Sequence, residues 1–590
     1  MAGAKKKSAD ITVATSAGPR PRLVKLLVRN FRSIGPEGVS IDLDDIVVLV
    51  GPNNVGKSSI LKAYEIVMAD GSKEGKLELH DFPNGKIDEN NLPQIELHTI
   101  VYDNGPGEEW IGTTSSGEKL VKERWTWTSP GTPIRRGFNV SLNRWANDED
   151  SEKVPWGAAT FANTRRPQTH RVDAFDSPDE QAKKIIDLLM MAINDRVKIH
   201  QAGKANPESD FSKLLSEIAR LQRQIVAESE HQINEIQSNL NGYIGRVFPG
   251  HKVILDAKPE DDLDKAISLF KANPQLLMGP DGGYLSDIGN QGSGARRTLM
   301  WTAIRLLAET GKNAQNQRPH VLLLDEPEIC LHPIAIREAC ELLYSLPGLT
   351  GNWQIVLTTH SPCFIDFSRD HTSIVRVTRS SEGRVTGTTI YRPSNAKFDE
   401  GDRECLKLLN ACDPYVAEFF FGGRTIVVEG DTEYSAFRQV MALFPERFRD
   451  VHIIRARGKA TIISLCKILN QFGAPYAVLH DSDRPIYVRK NGQTAKNPAW
   501  AHNESIRMQV AFSPKTVRVL ASLPNFEEAY CGVALDGDKP YNVAKLLSSN
   551  TELQESIAQL LECLVDFSKT PPSGCMQWTA IEELEKAVTA

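Results

Sequence analysis

No cysteine precedes Cys330, and the nine in the chain form neither a C-x-x-C pair nor a cluster with histidine at zinc-ligand spacing. Neither a disulfide scaffold nor a structural zinc site is indicated, and reduced thiols are expected. Long apolar runs are missing too. None approaches the roughly 20 residues needed to cross a bilayer, and the opening MAGAKKKSAD lacks the apolar core of a secretion signal. The expected compartment is the cytoplasm, with no membrane partner. Excess positive charge is absent as well: the formal net charge is -6. Nucleic-acid phosphates would have to be met by local basic pairs such as Arg135-Arg136 and Arg165-Arg166, unless these are simply solvated surface.

What is present is length enough for two or three cores, since 590 residues exceed what one hydrophobic core accommodates. Residues Met1 to about Arg20, with Lys5-Lys6-Lys7 among small polar residues, are expected to form a mobile tail. The stretch IVVLVGPNNVGKSSILKAYEIV, from Ile46 to Val67, is an apolar strand, a glycine loop and a helix. Gly51 and Gly56 let the backbone wrap a phosphate chain, Lys57 neutralises its outer charge, and Ser58 is placed to ligate Mg²⁺. A plain turn is the bland alternative, and the flanking strand and helix argue against it.

Strand-like pieces in QIELHTIVY and KERWTWT, between Gln94 and Phe175, point to a β-rich lobe. Its segment RRPQTHRVDAF holds Gln168, either a metal-contacting glutamine or a plain loop amide. Asp179 to Val197 and Asp210 to Tyr243 carry apolar residues at three- and four-residue steps and read as a helical arm, packing on its own domain or pairing with a second chain. Further on, IGNQGSGARRTLMWTAIRLLAE sets a Gly-Ser-Gly turn before a helix. HVLLLDEPEICLHP and WQIVLTTHSP are buried strands ending at Asp325-Glu326 and at His360.

This ordered set resembles the ATP-binding-cassette ATPases of chromosome-maintenance and recombination proteins. The resemblance implies that ATP and Mg²⁺ are held by Gly51, Asn54, Gly56, Lys57, Ser58, Ser59 and Asp325, with Glu326 polarising the attacking water and His360 contacting the γ-phosphate. It also implies that Ser293 and Gly294 cap the nucleotide of a second head, hence a homodimer or higher oligomer. Arg296-Arg297 after the Gly-Ser-Gly turn departs from the transporter pattern.

A second chemistry begins near Phe419. RTIVVEGDTEYSAFRQVM, VHIIRARGKATIISLCKIL and APYAVLHDSDRP repeat strand then helix and so imply a parallel sheet. Ligands of such sheets collect at the strand ends, which gathers Glu429, Glu433, Asp481 and Asp483 at one edge. Four carboxylates there need a counter-charge, and hard oxygen donors favour Mg²⁺ or Mn²⁺ over zinc. A solvated acidic rim is the bland alternative. E-G-x-x-E followed by D-x-D resembles the Toprim domain.

An ATPase head with an inserted helical arm, followed by Toprim, resembles the overcoming-lysogenization-defect (OLD) family of ATP-dependent nucleases, which includes the Gabija-type enzymes. The resemblance implies an α/β multidomain chain: tail 1–20, ATPase N-terminal lobe 21–175, helical dimerisation region 176–285, ATPase C-terminal lobe 286–398, linker 399–420 and Toprim 421–590. It implies an ATP-regulated, metal-dependent DNA endonuclease of anti-phage defence, with DNA as partner and a helicase or a retron reverse transcriptase and its DNA as further candidates. Glu527, beside Glu528, is the expected additional metal ligand. The family's C-terminal lysine is matched by Lys569, with Lys545 comparable and Gly458-Lys459 a further phosphate contact. A DNA-repair clamp that binds without cutting stays open, as does a strand passer using Tyr434 or Tyr530.

Overall fold

The computed structural model describes residues 22–102, 105–173, 176–202, 276–278, 284–310, 319–350, 353–366, 371–380, 385–396, 398–471, 475–489, 492–531 and 538–589, with Glu217, Arg220, Arg369 and Gly383 besides. The expected tail and, apart from Glu217 and Arg220, the helix expected over Asp210 to Tyr243 lie outside the described residues. By compactness the chain divides into one unit of residues 1–175 with 318–590 and another of residues 176–317.

In the first unit, an antiparallel sheet runs in the order Val39–Asp42, Arg22–Arg29, Gln94–Val101, Lys119–Thr126, Ile134–Asn139, Arg144–Trp145. Alternation along Arg22–Arg29 turns Leu23, Leu26 and Val28 inward. A second sheet holds β1 (Ile46–Val50), β2 (Gln168–Val172), β3 (His320–Asp325), β4 (Trp353–Thr358), β5 (Thr372–Arg379) and β6 (Val385–Tyr391), in the order β6-β5-β1-β4-β3-β2. All pairings in it are parallel except that of β6 with β5. Every residue of β1 is buried, as expected of a central strand covered on both faces. Ile60, Leu61, Tyr64 and Val67 of helix α1 (Lys57–Met68) share one apolar cluster with Leu26, Trp125, Leu49 and Leu323, which joins α1 to both sheets.

A third sheet carries β7 (Arg424–Val428), β8 (Val451–Arg455), β9 (Tyr476–Asp481), β12 (Val517–Ser522) and β13 (Cys575–Gln577), ordered β8-β7-β9-β12-β13. Between β9 and β12 a separate two-stranded ribbon forms from β10 (Ile486–Val488) and β11 (Thr494–Lys496). The first four strands of the third sheet are parallel, and β13 closes the edge antiparallel. The segment expected as a polar linker over 399–420 is instead helical, Glu400–Cys412 followed by the 3-10 helix Pro414–Phe421. Asp399 and Asp402 form a reciprocal capping box, and Asp402 also accepts from Ser464 at 2.7 Å and pairs with Lys467. The connection is thereby fastened to the third sheet's own helix, α5 (Lys459–Leu469).

In the second unit, helix α2 (Pro178–Ala202) packs along α3 (Ser293–Thr310). The helix that follows the Gly-Ser-Gly turn thus groups with the inserted segment in compactness. Buried Arg296 fastens the pair, its Nε donating to Gln181 Oε1 at 3.0 Å. No helix among the described residues is long and apolar enough to cross a membrane.

Candidate active sites at two sheet edges

At the C-terminal edge of the second sheet, β1 runs into the glycine loop. Gly51 has φ 140, and a Cβ there would sit 2.1 Å from the Val377 carbonyl oxygen, so only glycine fits. Asn54 and Gly56 also have positive φ, and Asn54 O accepts from Arg379 Nη2 at 3.0 Å. Lys57 Nζ donates to Gly51 O at 3.0 Å and Pro52 O at 2.9 Å and lies 2.9 Å from His360 Nε2. Burial first, then the Lys57 charge, holds the His360 pKa below its ordinary value, which favours the neutral ring beside the Lys57 ammonium.

Ser58 Oγ donates to Asp325 Oδ1 at 3.0 Å, and Thr358 Oγ1 donates to the same oxygen at 2.6 Å. Ser59 follows, half-buried, in the first turn of α1. Glu326 has φ 47, its N–H donates to Thr358 Oγ1 at 3.1 Å, and its Oε1 is 3.6 Å from His360 Nε2. The loop lysine, the Mg²⁺-type serine, both acids and the histidine therefore meet at one edge, as the motifs suggested. Ser293 opens α3 and Gly294 follows it in the second unit.

Glu328 is a residue that the sequence reading passed over. Its Oε1 accepts from the His360 N–H at 2.7 Å and from Thr359 Oγ1 at 2.9 Å, and burial raises its pKa. The available signal was its place in Asp-Glu-Pro-Glu, two residues beyond Glu326, where a carboxylate at the strand edge can reach back to the next strand's loop.

At the C-terminal edge of the third sheet, Glu429 follows β7, and Glu433 sits in the first turn of α4 (Asp431–Leu443), 3% exposed. Asp481 ends β9, and Glu527, 5% exposed, lies in the first turn of α6 (Phe526–Cys531). The Asp481 N–H donates to Glu429 Oε2 at 3.1 Å, the Phe526 N–H donates to Asp481 Oδ1 at 2.9 Å, and Thr432 Oγ1 donates to Glu527 Oε1 at 3.1 Å. Burial pushes the Glu433 carboxyl up to about 7, with the charges of Glu429 and Glu527 adding to it. Burial, then Glu433, Glu429 and Glu527, raises Asp481 well above the carboxylate range, and burial raises Glu429.

Asp483 has φ 58 and pairs with buried Lys459, while Lys539 Nζ lies 3.2 Å from Glu527 Oε1. Fully ionised, the five carboxylates would exceed these two lysines by three charges, and the oxygen-only donor set suits a hard divalent cation. The oxygens are spread more widely than a closed ligand shell. Among the described residues, the group of three ligating side chains within 4.8 Å of one another is Asp44, Asp45 and His371, away from this edge.

Other candidate residues stand elsewhere. Lys569 pairs with Glu562, which also holds Arg447 beyond the C-terminal end of α4, and Lys569 O accepts from Arg518 at the N-terminal end of β12. That is the opposite edge from the carboxylates, about 13 Å away along a strand rising about 3.3 Å per residue. Lys545 is exposed on the helix Lys539–Ser549. Lys459 and Lys539 each pair with a carboxylate of that edge. Gln168 begins β2 opposite His320, five residues before Asp325, so it sits at the wrong end of the sheet for a metal at Asp325.

Arg135 and Arg166 are buried rather than displayed for phosphate. Both pair with buried Glu123, at 3.1 and 2.7 Å, and Arg136 pairs with Asp148. The Tyr530 hydroxyl is buried and its pKa raised by that burial, which removes it as a nucleophile. Tyr434 packs beneath Arg455 at 5.1 Å.

Residues 22–114 and 139–365 match the AAA ATPase domain family, and residues 420–483 match the TOPRIM domain of proteins like the overcoming lysogenization defect protein. The second match contains Glu429, Glu433, Asp481 and Asp483. The Old nuclease of Escherichia phage P2 is 24% identical over 78% of this chain and 77% of its own. The OLD nuclease of Thermus scotoductus is 23% identical over 89% and 95%, and the endonuclease GajA of Bacillus cereus is 22% identical over 79% and 76%. Among solved structures, the SMC head domain from Thermotoga maritima aligns with 63% of this chain and 99% of its own at 16% identity and a TM-score of 0.28.

Proposed function

Because this chain belongs to the AAA ATPase family and joins that ATPase to an OLD-like TOPRIM nuclease domain, we propose that it is an ATP-regulated, divalent-metal-dependent DNA endonuclease acting in anti-phage defence. The observation that carries the reading is the edge where Glu429, Glu433, Asp481 and Glu527 stand half-buried or buried with three of their pKa values raised. Such an arrangement is unfavourable unless a cation or protons compensate it.

Glu429, Glu433, Asp481, Asp483 and Glu527 would hold Mg²⁺ or Mn²⁺, which supplies water activation and charge neutralisation at a phosphodiester. Glu433, whose carboxyl is raised to about 7 by burial, would give up that proton when the cation binds. Lys459 sits where it can balance Asp483 or a substrate phosphate, and Lys539 does the same beside Glu527. The Asp481 and Phe526 amides fix the carboxylate orientations.

In the ATPase, Lys57 would neutralise the β- and γ-phosphates, Ser58 and Asp325 would share the Mg²⁺ shell, and Glu326 would orient water. His360, held by Glu328, would report the γ-phosphate. The support for ATP control is a short physical connection. The His360 ring stacks on Phe421 at 6.4 Å, and Phe421 ends the 3-10 helix whose Phe419 and Phe420 carbonyls accept from Arg376 of β5. Gly422 and Gly423, both at positive φ, then lead directly into β7 and Glu429. Ser293 and Gly294 at the start of α3 suit capping of a nucleotide on a second copy, so the working form is a homodimer or larger.

The test is nicking of supercoiled plasmid by the purified protein in Mg²⁺ or Mn²⁺, with and without ATP, beside Glu433→Ala. Metal-dependent nicking lost in the variant supports the reading. DNA binding with no nicking in either protein would favour the non-cutting clamp.

A further inference from the structure

Between Asp483 and Glu504 the chain carries Arg484, Arg489, Lys490 and Lys496 and no acidic residue, in a protein whose net charge is -6. This is the segment that folds as the β10–β11 ribbon, starting three residues beyond Asp483. Ile486, Tyr487 and Val488 are exposed at 57%, 42% and 68%. Alternation puts Ile486 and Val488 on one face and Tyr487 on the other, so neither face of the ribbon is covered. A two-stranded ribbon is marginal by itself, and three consecutive exposed apolar residues cost stability unless something occupies them.

The base of the ribbon is nevertheless fixed to the carboxylate edge. Ser482 is fully buried, its N–H donates to Ser522 O at 2.9 Å and its Oγ to Pro524 O at 3.0 Å, and buried Asn503 donates to Ser482 O at 2.8 Å. Asn497 N–H donates to Pro485 O at 2.9 Å and closes the stem. Arg489 and Lys496 are exposed, and among the described residues neither has an ion pair.

We propose that the β10–β11 ribbon is the DNA grip of the nuclease site, entering a groove of the duplex beside the scissile phosphate. Arg489 and Lys496 meet backbone phosphates, while Ile486, Tyr487 and Val488 lie against sugars and base edges. The width of the major groove admits a two-stranded ribbon, and cations supply affinity while apolar contacts set position. Because the ribbon begins three residues beyond Asp483, a duplex presented to the carboxylate edge meets its cations, and that adjacency selects DNA over a second copy of this chain as the occupant. The proposal rests on the nuclease reading above and adds the residues that hold its substrate.

The test measures binding of a labelled duplex by the full chain in an Asp481→Ala background, across a salt series. Arg489→Ala with Lys496→Ala should lower the slope of log affinity against log salt by about 2 and weaken binding at least tenfold at 0.1 M salt. Tyr487→Ala should weaken binding about fivefold or more with the slope unchanged, and Tyr487→Phe should restore it. In the unsubstituted protein, duplex should slow trypsin cleavage after Arg489 and Lys496, a readout that needs no variant to fold. Unchanged affinity and slope in the variants, or undiminished cleavage under saturating DNA, would overturn the grip while leaving metal-dependent nicking intact. Loss of self-association with unchanged DNA binding would also overturn it and assign the ribbon to contact between copies. Failure of the unsubstituted protein to bind or nick DNA at all would remove the underlying nuclease reading instead.

Discussion

Glu433→Gln tests the carboxylate edge without needing a substrate. In the folded chain burial holds this carboxyl to about 7, against an ordinary value of 4.5. The difference, roughly 2.5 units at 1.36 kcal/mol each, corresponds to about 3 kcal/mol. Because the folded value lies above the unfolded one, the folded state binds the proton more tightly. The associated stability is complete below pH 4.5 and is lost as the pH rises through 7. Asp481, raised in the same direction, adds to the slope. Urea midpoints in EDTA at pH 5, 6, 7 and 8 should therefore fall with pH for the unsubstituted protein. Gln keeps the shape but has no proton to lose, so its curve should start nearby at pH 5 and fall about 2.5 kcal/mol less by pH 8. Mg²⁺, replacing the proton as counter-charge, should recover the unsubstituted protein at pH 8 much more than the variant. Parallel pH curves for the two proteins, with or without Mg²⁺, would refute the account of this edge.

Lys57→Ala should lower ATP turnover by about 100-fold or more, because it removes the phosphate-facing ammonium, while leaving the pH signature of Glu433 unchanged; retained turnover would sink the phosphate-loop assignment. Asp481→Ala should abolish nicking with ATP hydrolysis preserved, read by plasmid gel and phosphate release on the same preparation. Lys569→Ala should leave nicking within about twofold, since its exposed pair with Glu562 contributes roughly 0–1 kcal/mol, whereas Lys459→Ala should lower it at least tenfold; the reverse order would restore Lys569 to the site. Phe421→Ala should keep both activities yet reduce the difference in nicking with and without ATP, and an unchanged difference would reject the His360 to Phe421 connection.

The motif residues were legible because their chemistry demands fixed local spacing. The turn at Gly51 admits no side chain, Lys57 and Ser58 must follow the loop, Asp325 closes the apolar run Val321 to Leu324, and His360 and Asp481 follow largely apolar stretches that read as buried strands. Parallel topology then brings strand ends to one edge whatever the intervening sequence, which is why Glu429, Glu433, Asp481 and Asp483 could be grouped in advance, with Glu527 added by the family resemblance. Long-range partnerships had no such local signature. That Arg135 and Arg166 would be consumed by Glu123, that Lys569 would face the edge opposite the carboxylates, and that Lys539 would join Lys459 beside them depends on how helices return across the sheet. The same holds for the ring of His360 meeting Phe421 and for the 399–420 segment folding onto α5. The local chain determined which residues can do the chemistry; only the tertiary packing decided which cations accompany them, because charge pairing at a distance follows from burial and not from order along the chain.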